Sequence, residues 1–441
     1  MKEATNQEKL APALVTEPGI PPAPAEPALL ERRGLRQVFR ALRHRNFRLF
    51  CFGQIISLCG TWMQSVAQTW LIYRLTRSEF LMGLTYFCLQ MPVFVLGPLG
   101  GLASDRRSRH RIIVITQALS MVQALMLAAL TISGRVEVWH VLSLATVLGI
   151  INAFDMPARQ SFIIEMASKE DLLNAISLNS SIFNVARVVG PGIAGLLVHR
   201  LGEGICFLLN GLSFAPVILS LLGMRLLPFQ RSVAESPWEH LIQGFRFAYH
   251  TLHIRYLLLL LGAATISGVP ALILMPFFAE DILGKGSRGL GILLASMGIG
   301  ALVGTLGLAG RRNTKGLVKV ILLGSTGLGV GLILLAISRN FTLSVAIMLL
   351  VGFSTLRQMA STNTLIQTVI PDEYRGRIMA MYTMTVVGLG PFASLLAGIV
   401  ASRYGPPLTV AAGGVFCLLA TLLFWARREE FRRSIRVETK A

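Results

Sequence analysis

Residues 100–111 read GGLASDRRSRHR. An apolar run that begins near Phe80 stops here within a few residues and gives way to Arg106, Arg107, Arg109 and Arg111, led by one acid, Asp105. Arginines at the mouth of an apolar run mark the cytoplasmic edge of a membrane span. The aspartate needs another explanation. Working outward from this point, apolar runs recur at about 20 residues, the length at which an α-helix crosses a hydrocarbon core of about 30 Å. In the first part of the chain they lie near 48–73, 80–103, 112–133, 138–158, 173–198 and 204–224. After a polar interval they return near 256–282, 289–310, 317–338, 341–363, 378–401 and 408–426.

The composition agrees with this reading. Hydrophobic residues make up 53% of the 441 and charged residues only 14%, too apolar a balance for a soluble domain of this size. In lipid every backbone N–H and C=O needs an internal partner, and the alternation of a membrane barrel is missing, so the runs are helices. The expected fold is an all-α integral membrane protein of twelve transmembrane helices. The net charge of +19 does not signal nucleic acid. Most of the 41 Lys and Arg residues sit on short segments at one membrane edge, which also places both termini in the cytoplasm. Cys51, Cys59, Cys88, Cys206 and Cys417 all fall in apolar runs without metal-ligand spacing, and they read as small core residues. No metal site and no cofactor is expected.

The chain divides accordingly. Residues 1–46 form a Pro-rich cytoplasmic tail ending in a basic amphipathic segment with Leu35, Val38, Phe39 and Leu42 at helical spacing. Residues 47–224 form a six-helix bundle and residues 256–426 a second one. Between them, residues 225–255 are a cytoplasmic linker whose later part, opened by Pro237, carries Trp238, Leu241, Ile242 and Phe245 on one helical face. Residues 427–441 are a basic cytoplasmic tail. The two bundles echo each other about 200 residues apart, as a parallel duplication would leave them. GLASDRR from Gly101 returns as GLAGRR from Gly307, and KEDLLNA from Lys169 as PDEYRGR from Pro371. Gly190-Pro191 returns as Gly390-Pro391, each pair expected to interrupt its helix.

These residues together resemble the major facilitator superfamily, over residues 47–426. The signature of that family between its second and third helices is Gly, three residues, Asp-Arg, one residue, Gly, then Arg or Lys. Gly101, Asp105, Arg106, Arg109 and Arg111 match it, with Ser108 where the family has Gly. ARVVGPGIAG resembles the family's antiporter signature in the fifth helix, through Gly190, Pro191, Ala194 and Gly195. Longer stretches, such as NFRLFCFGQIISLCGTWMQSVAQTWLIYRLT and NAFDMPARQSFI, are similar to a branch of bacterial siderophore and drug exporters. The resemblance implies the major facilitator fold, two pseudo-symmetric bundles in a bacterial inner membrane. It further implies that Asp105 caps the start of the eleventh helix, near Gly376–Ile378, and so latches the bundles in the outward-facing state. Arg106 and Arg109 are then expected to pair with Asp155. One departure is notable: the arginine that drug–proton antiporters carry in the fourth helix is missing from HVLSLATVLGIINAF.

Polar side chains within spans face a cavity or a packed interior. In the first helix Gln54, Ser57, Thr61, Gln64 and Gln68 share one face. Asn152, Asp155 and Arg159 do so in the fourth, Ser180, Asn184 and Arg187 in the fifth, and Ser354, Arg357, Ser361 and Thr364 in the tenth. The family fold lines its cavity with the first, fourth, seventh and tenth helices. Gln54, Thr61, Gln64, Gln68, Asn152, Asn184, Arg187, Arg357 and Ser361 are therefore the candidate cavity residues, and Asp155 and Arg159 join the latch. Arg187 and Arg357 are buried charges that need acids, and Asp155 is the carboxylate nearest in the sequence plan. In the seventh helix Pro270 and Pro276 remove backbone hydrogen bonds, which predicts a bend.

A phosphate-binding Gly-rich loop with Lys-Ser/Thr is lacking, which excludes a built-in ATPase. Asp155, Glu280 and Asp281 are the carboxylates open to a proton-carrying role. His140, His199 and the cysteines are scattered without the convergence that a membrane-embedded enzyme requires. The sequence therefore points to a secondary transporter that exports a small amphipathic molecule by alternating access, driven by protons, and the family resemblance implies a monomer. Uptake of an organic or lipid-like solute stays open.

Overall fold

The computed structural model describes residues 39–224, 246–309, 316–431 and 434. The helix read at 236–245, the start of the N-terminal amphipathic segment with Leu35 and Val38, Arg311 and Arg312 of the GLAGRR echo, and most of the tail beyond 431 lie outside them. Among the described residues, twelve helices are long and apolar enough to span a bilayer. In chain order they are α1 (Arg45–Thr76), α2 (Glu79–Arg106), α3 (Arg109–Ile132), α4 (Val138–Met166), α5 (Leu172–Leu201) and α6 (Glu203–Leu222). The second set is α7 (Leu252–Ile273), α8 (Gly286–Ala309), α9 (Leu317–Ile337), α10 (Phe341–Val369), α11 and α12 (Pro406–Ala426). α11 runs from Asp372–Thr383 through a π-helical turn, Met384–Gly388, into Leu389–Tyr404.

Several helices outlast the apolar runs that announce them. α4 and α10 continue to Met166 and Val369 and α11 starts at Asp372, because polar residues such as Arg159, Glu165 and Gln367 extend the helix beyond hydrocarbon. The seventh segment breaks where its prolines require it. α7 ends at Ile273, Pro276 opens the short turn Met275–Phe277, and a π-helical turn follows at Phe278–Ile282. Of the two Gly-Pro pairs, only the second sits beside an irregularity, the π turn just before Pro391. α5 passes through Gly190-Pro191 as an unbroken helix, contrary to the sequence expectation.

The two bundles repeat one packing plan. α1 packs on α5 and α6, α2 on α4, and α3 on α4 and α6; α7 packs on α11 and α12, α8 on α10, and α9 on α10 and α12. Equivalent glycines serve equivalent contacts. A Cβ on Gly149 of α4 would lie 2.3 Å from the Leu89 carbonyl oxygen, and one on Gly352 of α10 would lie 1.9 Å from that of Met297. The tight turns from α5 to α6 and from α11 to α12 both use a left-handed glycine, Gly202 at φ 83° and Gly405 at φ 81°. Between bundles, α2 meets α11 and α5 meets α8.

We call the membrane face where α1 begins the near face and the opposite one the far face. The contacts between bundles cluster toward the far face. Gly83 of α2 approaches Ser394 and Gly398 of α11, Gly398 approaches Glu79 and Phe80, and Gly195 of α5 approaches Ser287 and Gly291 of α8. Toward the near face the same helices present exposed residues, Leu99 on α2 and Leu173, Ile176 and Ser177 on α5. The bundles thus touch at one end and part at the other.

Candidate functional site

At the far face the closure is ionic as well as steric. The Tyr73 hydroxyl donates to Asp281 Oδ1 at 2.8 Å, and Arg77 Nη1 reaches the same oxygen at 2.7 Å. Tyr73 ends α1 and Asp281 lies in the π-helical turn after α7, so this triad ties one bundle to the other. The Phe277 ring packs edge-on against Tyr73 with centroids 4.9 Å apart, and the Arg77 guanidinium covers the Tyr73 ring at 4.9 Å. Arg77 caps α1 at φ 49°, the one non-glycine positive φ among the described residues. That conformation costs about 1 kcal/mol for an L-residue, and here it aims the side chain at Asp281.

At the near face the sequence latch is open. Asp105 ends α2 with its side chain 41% exposed, and its ion pair is with Arg109 of its own turn, at 3.8 Å. Gly376, near the implied partner site on α11, has open space around it. Arg106 is exposed. Arg109 does not reach Asp155; its Nη1 holds Glu165 at 2.9 Å instead. Asp155 is buried and satisfied locally. It accepts hydrogen bonds from Thr116 at 2.7 Å and Gln117 at 3.0 Å on α3 and pairs with Arg159 one turn along α4. The expected pairing of Arg106 and Arg109 with Asp155 is corrected accordingly: an arginine on the same helix occupies that carboxylate.

The motif glycines act by close packing. A Cβ on Gly190 would meet the Trp62 Cβ at 2.6 Å and the Cys59 carbonyl oxygen at 2.9 Å, so Gly190 lets α1 and α5 touch. Gly195 and Gly291 face each other across the α5–α8 interface, and the Pro191 carbonyl oxygen lies against Gly291. In α2 the glycine under pressure is Gly100, where a Cβ would sit 1.9 Å from the Ala153 carbonyl oxygen. Gly101, singled out by the motif, has nothing within 4 Å.

The amide stripe of α1 turns inward. Gln64 donates to Gln123 Oε1 at 3.1 Å, Gln123 donates to the Leu144 carbonyl at 3.2 Å, and Asn210 donates to Gln64 Oε1 at 2.7 Å. Gln54 and Gln68 are buried with it. Placement of Gln54, Gln64 and Gln68 toward a cavity is corrected. α3 and α6 supply matching amides, so for Gln64 the bundle interior satisfies what a cavity would otherwise have to. Thr61 alone of that face is exposed, and its hydroxyl donates to the Ser57 carbonyl. Ser361 is also corrected: it is fully buried at helical spacing from Ser354 and Gln358, which meet Gly324 of α9. Asn152 is half-buried on α4. Arg357 packs over the Phe353 ring at 5.0 Å on the face of α10 that carries exposed Leu343 and Leu350. Asn184 donates to the Ser180 carbonyl at 2.9 Å, and Arg187 stands over the Trp62 ring at 5.8 Å.

Sequence reasoning missed two more contacts. Tyr73 and Arg77 carried no signal, because their partner lies 208 and 204 residues away. At the near face Arg40 and Arg43 both contact Asp171 at 2.8 Å, His44 Nε2 lies 2.8 Å from the same carboxylate, and the Ala41 amide donates to Asn174. This docks the turn Arg40–Arg43 onto the start of α5. Burial of Asp171 works to raise its pKa, but the His44 hydrogen bond and the charges of Arg40 and Arg43 outweigh it and hold the carboxyl below its ordinary range.

Two six-helix bundles, in contact at one membrane face and parted at the other, make up the fold of a membrane transporter. The chain belongs to the transmembrane secretion effector family of major facilitator proteins, whose model matches residues 37–434. Members of this family are transporters and not enzymes. Among curated relatives, the chain is 23% identical to the staphyloferrin A transporter of Staphylococcus aureus, over 86% of this chain and 95% of that one. It is 26% identical to the multidrug efflux pump Tap of Mycolicibacterium fortuitum, over 82% and 91%. It is 24% identical to an enterobactin exporter of Escherichia coli O1:K1 / APEC, over 88% and 93%. In three dimensions it resembles the nucleoside transporter NupG, with a TM-score of 0.70 and 13% identity over 86% of this chain and 98% of that one. It also resembles a bacterial ferroportin homologue in an inward-facing state, with a TM-score of 0.66 and 17% identity over 87% and 98%.

Proposed function

We propose that this protein is a proton-driven exporter of a small amphipathic molecule, drug-like or siderophore-like, that works as a monomer in a bacterial inner membrane with both termini in the cytoplasm. The near face is then cytoplasmic and the far face periplasmic. The observation that carries the reading is the Tyr73–Asp281–Arg77 closure at the far face, set against an open Asp105 latch at the near face. Alternating access requires these two devices to exchange. When the far face opens, Asp105 moves to the positive N-terminal end of α11, a contact worth about 0.3 to 1 kcal/mol when exposed and up to about 2 when partly buried. The names of relatives that export siderophores and drugs support the direction and the substrate size. Proton coupling uses a carboxylate whose access changes with state, and Asp281 meets that requirement because the closure engages it directly.

The test is flux of dyes, drugs and catechol siderophores in inside-out vesicles, with a pH gradient imposed and then collapsed. Accumulation that follows the gradient supports the reading. Flux in the opposite direction would make the protein an importer, and gradient-independent flux would remove proton coupling.

A further inference from the structure

Arg187 sits inside a span and has no carboxylate within ion-pair distance among the described residues. It lies near the middle of the 30-residue α5, where a bilayer is most hostile to a cation. Acids in close ion pairs among the described residues have other cations, as Asp155 has Arg159, Glu165 has Arg109, Glu203 has Arg74 and Asp281 has Arg77. None is paired with Arg187. The sequence expectation that Asp155 would neutralise it fails, since Thr116, Gln117 and Arg159 fill that carboxylate.

The direction in which Arg187 points follows from its helix. α5 meets α1 through Gly190 and α8 through Val188, Pro191 and Gly195. Two sides of the helix remain. One carries Val185, Val189 and Leu196, all exposed and apolar, as lipid requires. At 3.6 residues per turn Arg187 lies diametrically across from that stripe, on the side enclosed by α1 and α8 between the bundles. Ser180, exposed, and Asn184, half-buried, share this side toward the near face, where α5 and α8 part. The guanidinium is bounded by the Trp62 ring at 5.8 Å, and Phe183 meets Trp62 edge-on at 5.7 Å. A cation–π contact of this kind is worth about 0.5 to 2 kcal/mol, far less than the desolvation of an unpaired guanidinium at mid-membrane. A second partner is needed.

We infer that Arg187 is the substrate's counter-ion: the transported molecule carries an anionic group, a carboxylate or an acidic phenol, that pairs with this guanidinium while its apolar body lies against Trp62 and Phe183. The inference rests on the transport reading above and narrows it to a substrate class. Guanidinium suits this role because its planar fork binds a carboxylate through two hydrogen bonds and keeps its charge at any accessible pH.

The experiment compares two xanthene dyes of opposite charge, carboxyfluorescein and rhodamine 123, in proteoliposomes of the full chain under an imposed pH gradient. Wild type should move the anionic dye in preference. Arg187→Gln should cut that flux about tenfold or more, the value of a lost charge-assisted contact, while rhodamine flux holds or rises. Arg187→Lys should retain the preference at a reduced rate. Equal anion flux in wild type and Arg187→Gln, or a wild-type preference for the cation, would overturn the inference and leave the transporter reading standing. Absence of flux for either dye in either gradient direction would count against both. If the variants fold poorly, dye anisotropy with wild type in nanodiscs decides, and tighter binding of rhodamine 123 than of carboxyfluorescein would sink the proposal.

Discussion

Replacing Asp281 by Asn should release the far face without harming the fold. Asp281 Oδ1 holds two bonds, and their values differ. Arg77 and Asp281 are 61% and 38% exposed, so solvent screens the ion pair to about 0.2 to 1 kcal/mol. Tyr73 is buried, and its hydroxyl bond to a charged acceptor is worth about 1.5 to 3 kcal/mol against about 0.5 to 1.5 for a neutral one. Asn keeps an acceptor for Tyr73 and loses the charge, so the closed state should lose about 1.5 kcal/mol, roughly a tenfold shift toward far-face opening. Asp281→Ala strands the buried hydroxyl and should shift the balance further, by about 2 to 4 kcal/mol. Spin labels at Arg135 and Arg339, exposed on far-face loops of opposite bundles, would report the change by pulsed EPR distance. Wild type should favour the shorter separation and Asp281→Asn should populate a longer one. Identical distance distributions in the three proteins would refute the idea that this triad holds the bundles together.

Other expectations follow from the packing and the local charges. Gly100→Ala should lower the melting temperature in detergent, since its Cβ meets a backbone carbonyl, at an overpacking cost of about 1 to 3 kcal/mol, while Gly101→Ala should melt like wild type. Gln64→Leu should destabilise the first bundle by about 1 kcal/mol and leave the ranking of transported compounds unchanged, because Gln64 serves Gln123 and Asn210 and not a ligand. A substrate-selective defect would return it to the cavity. The Asp171 contact has a defined pH window. Its folded-state pKa is lowered, so its contribution is complete above the ordinary carboxylate range and disappears only as pH falls through the lower folded value. Hydrogen exchange at the Ala41 amide should therefore stay protected from pH 8 down to about pH 5 and become fast in Asp171→Asn throughout that range. Equal protection in wild type and Asp171→Asn across that window would show that this carboxylate does not dock the segment.

The architecture was legible because lipid imposes it. A run such as Leu317–Ile337 has one structural solution in a bilayer, and the echo of Gly190-Pro191 by Gly390-Pro391 exposes the duplication. Helix ends beyond the hydrocarbon were not legible, since Arg159 to Met166 continues α4 with ordinary amphipathic residues. The site was harder for a different reason. Periodicity places Gln54, Gln64 and Gln68 on one face and does not say which neighbour that face meets; the matching amides Gln123 and Asn210 come from other helices. Asp155 and Arg159 at a spacing of four could be read locally, whereas Tyr73 and Asp281 meet only through the fold. Gly100 and Gly101 are indistinguishable in sequence, and only the path of α4 selects the first.

The central claim is that transport requires the far face to open at Tyr73, Arg77 and Asp281. Cysteines placed at Arg77 and Asp281, in a chain whose five native cysteines are replaced, can be joined by a short bifunctional thiosulfonate and freed again by reductant. In proteoliposomes the unlinked double variant, which lacks the proton-carrying Asp281, should still move substrate down a concentration gradient, linking should stop that flux, and reduction should restore it. Turnover at the unlinked rate with the linker in place would contradict the account.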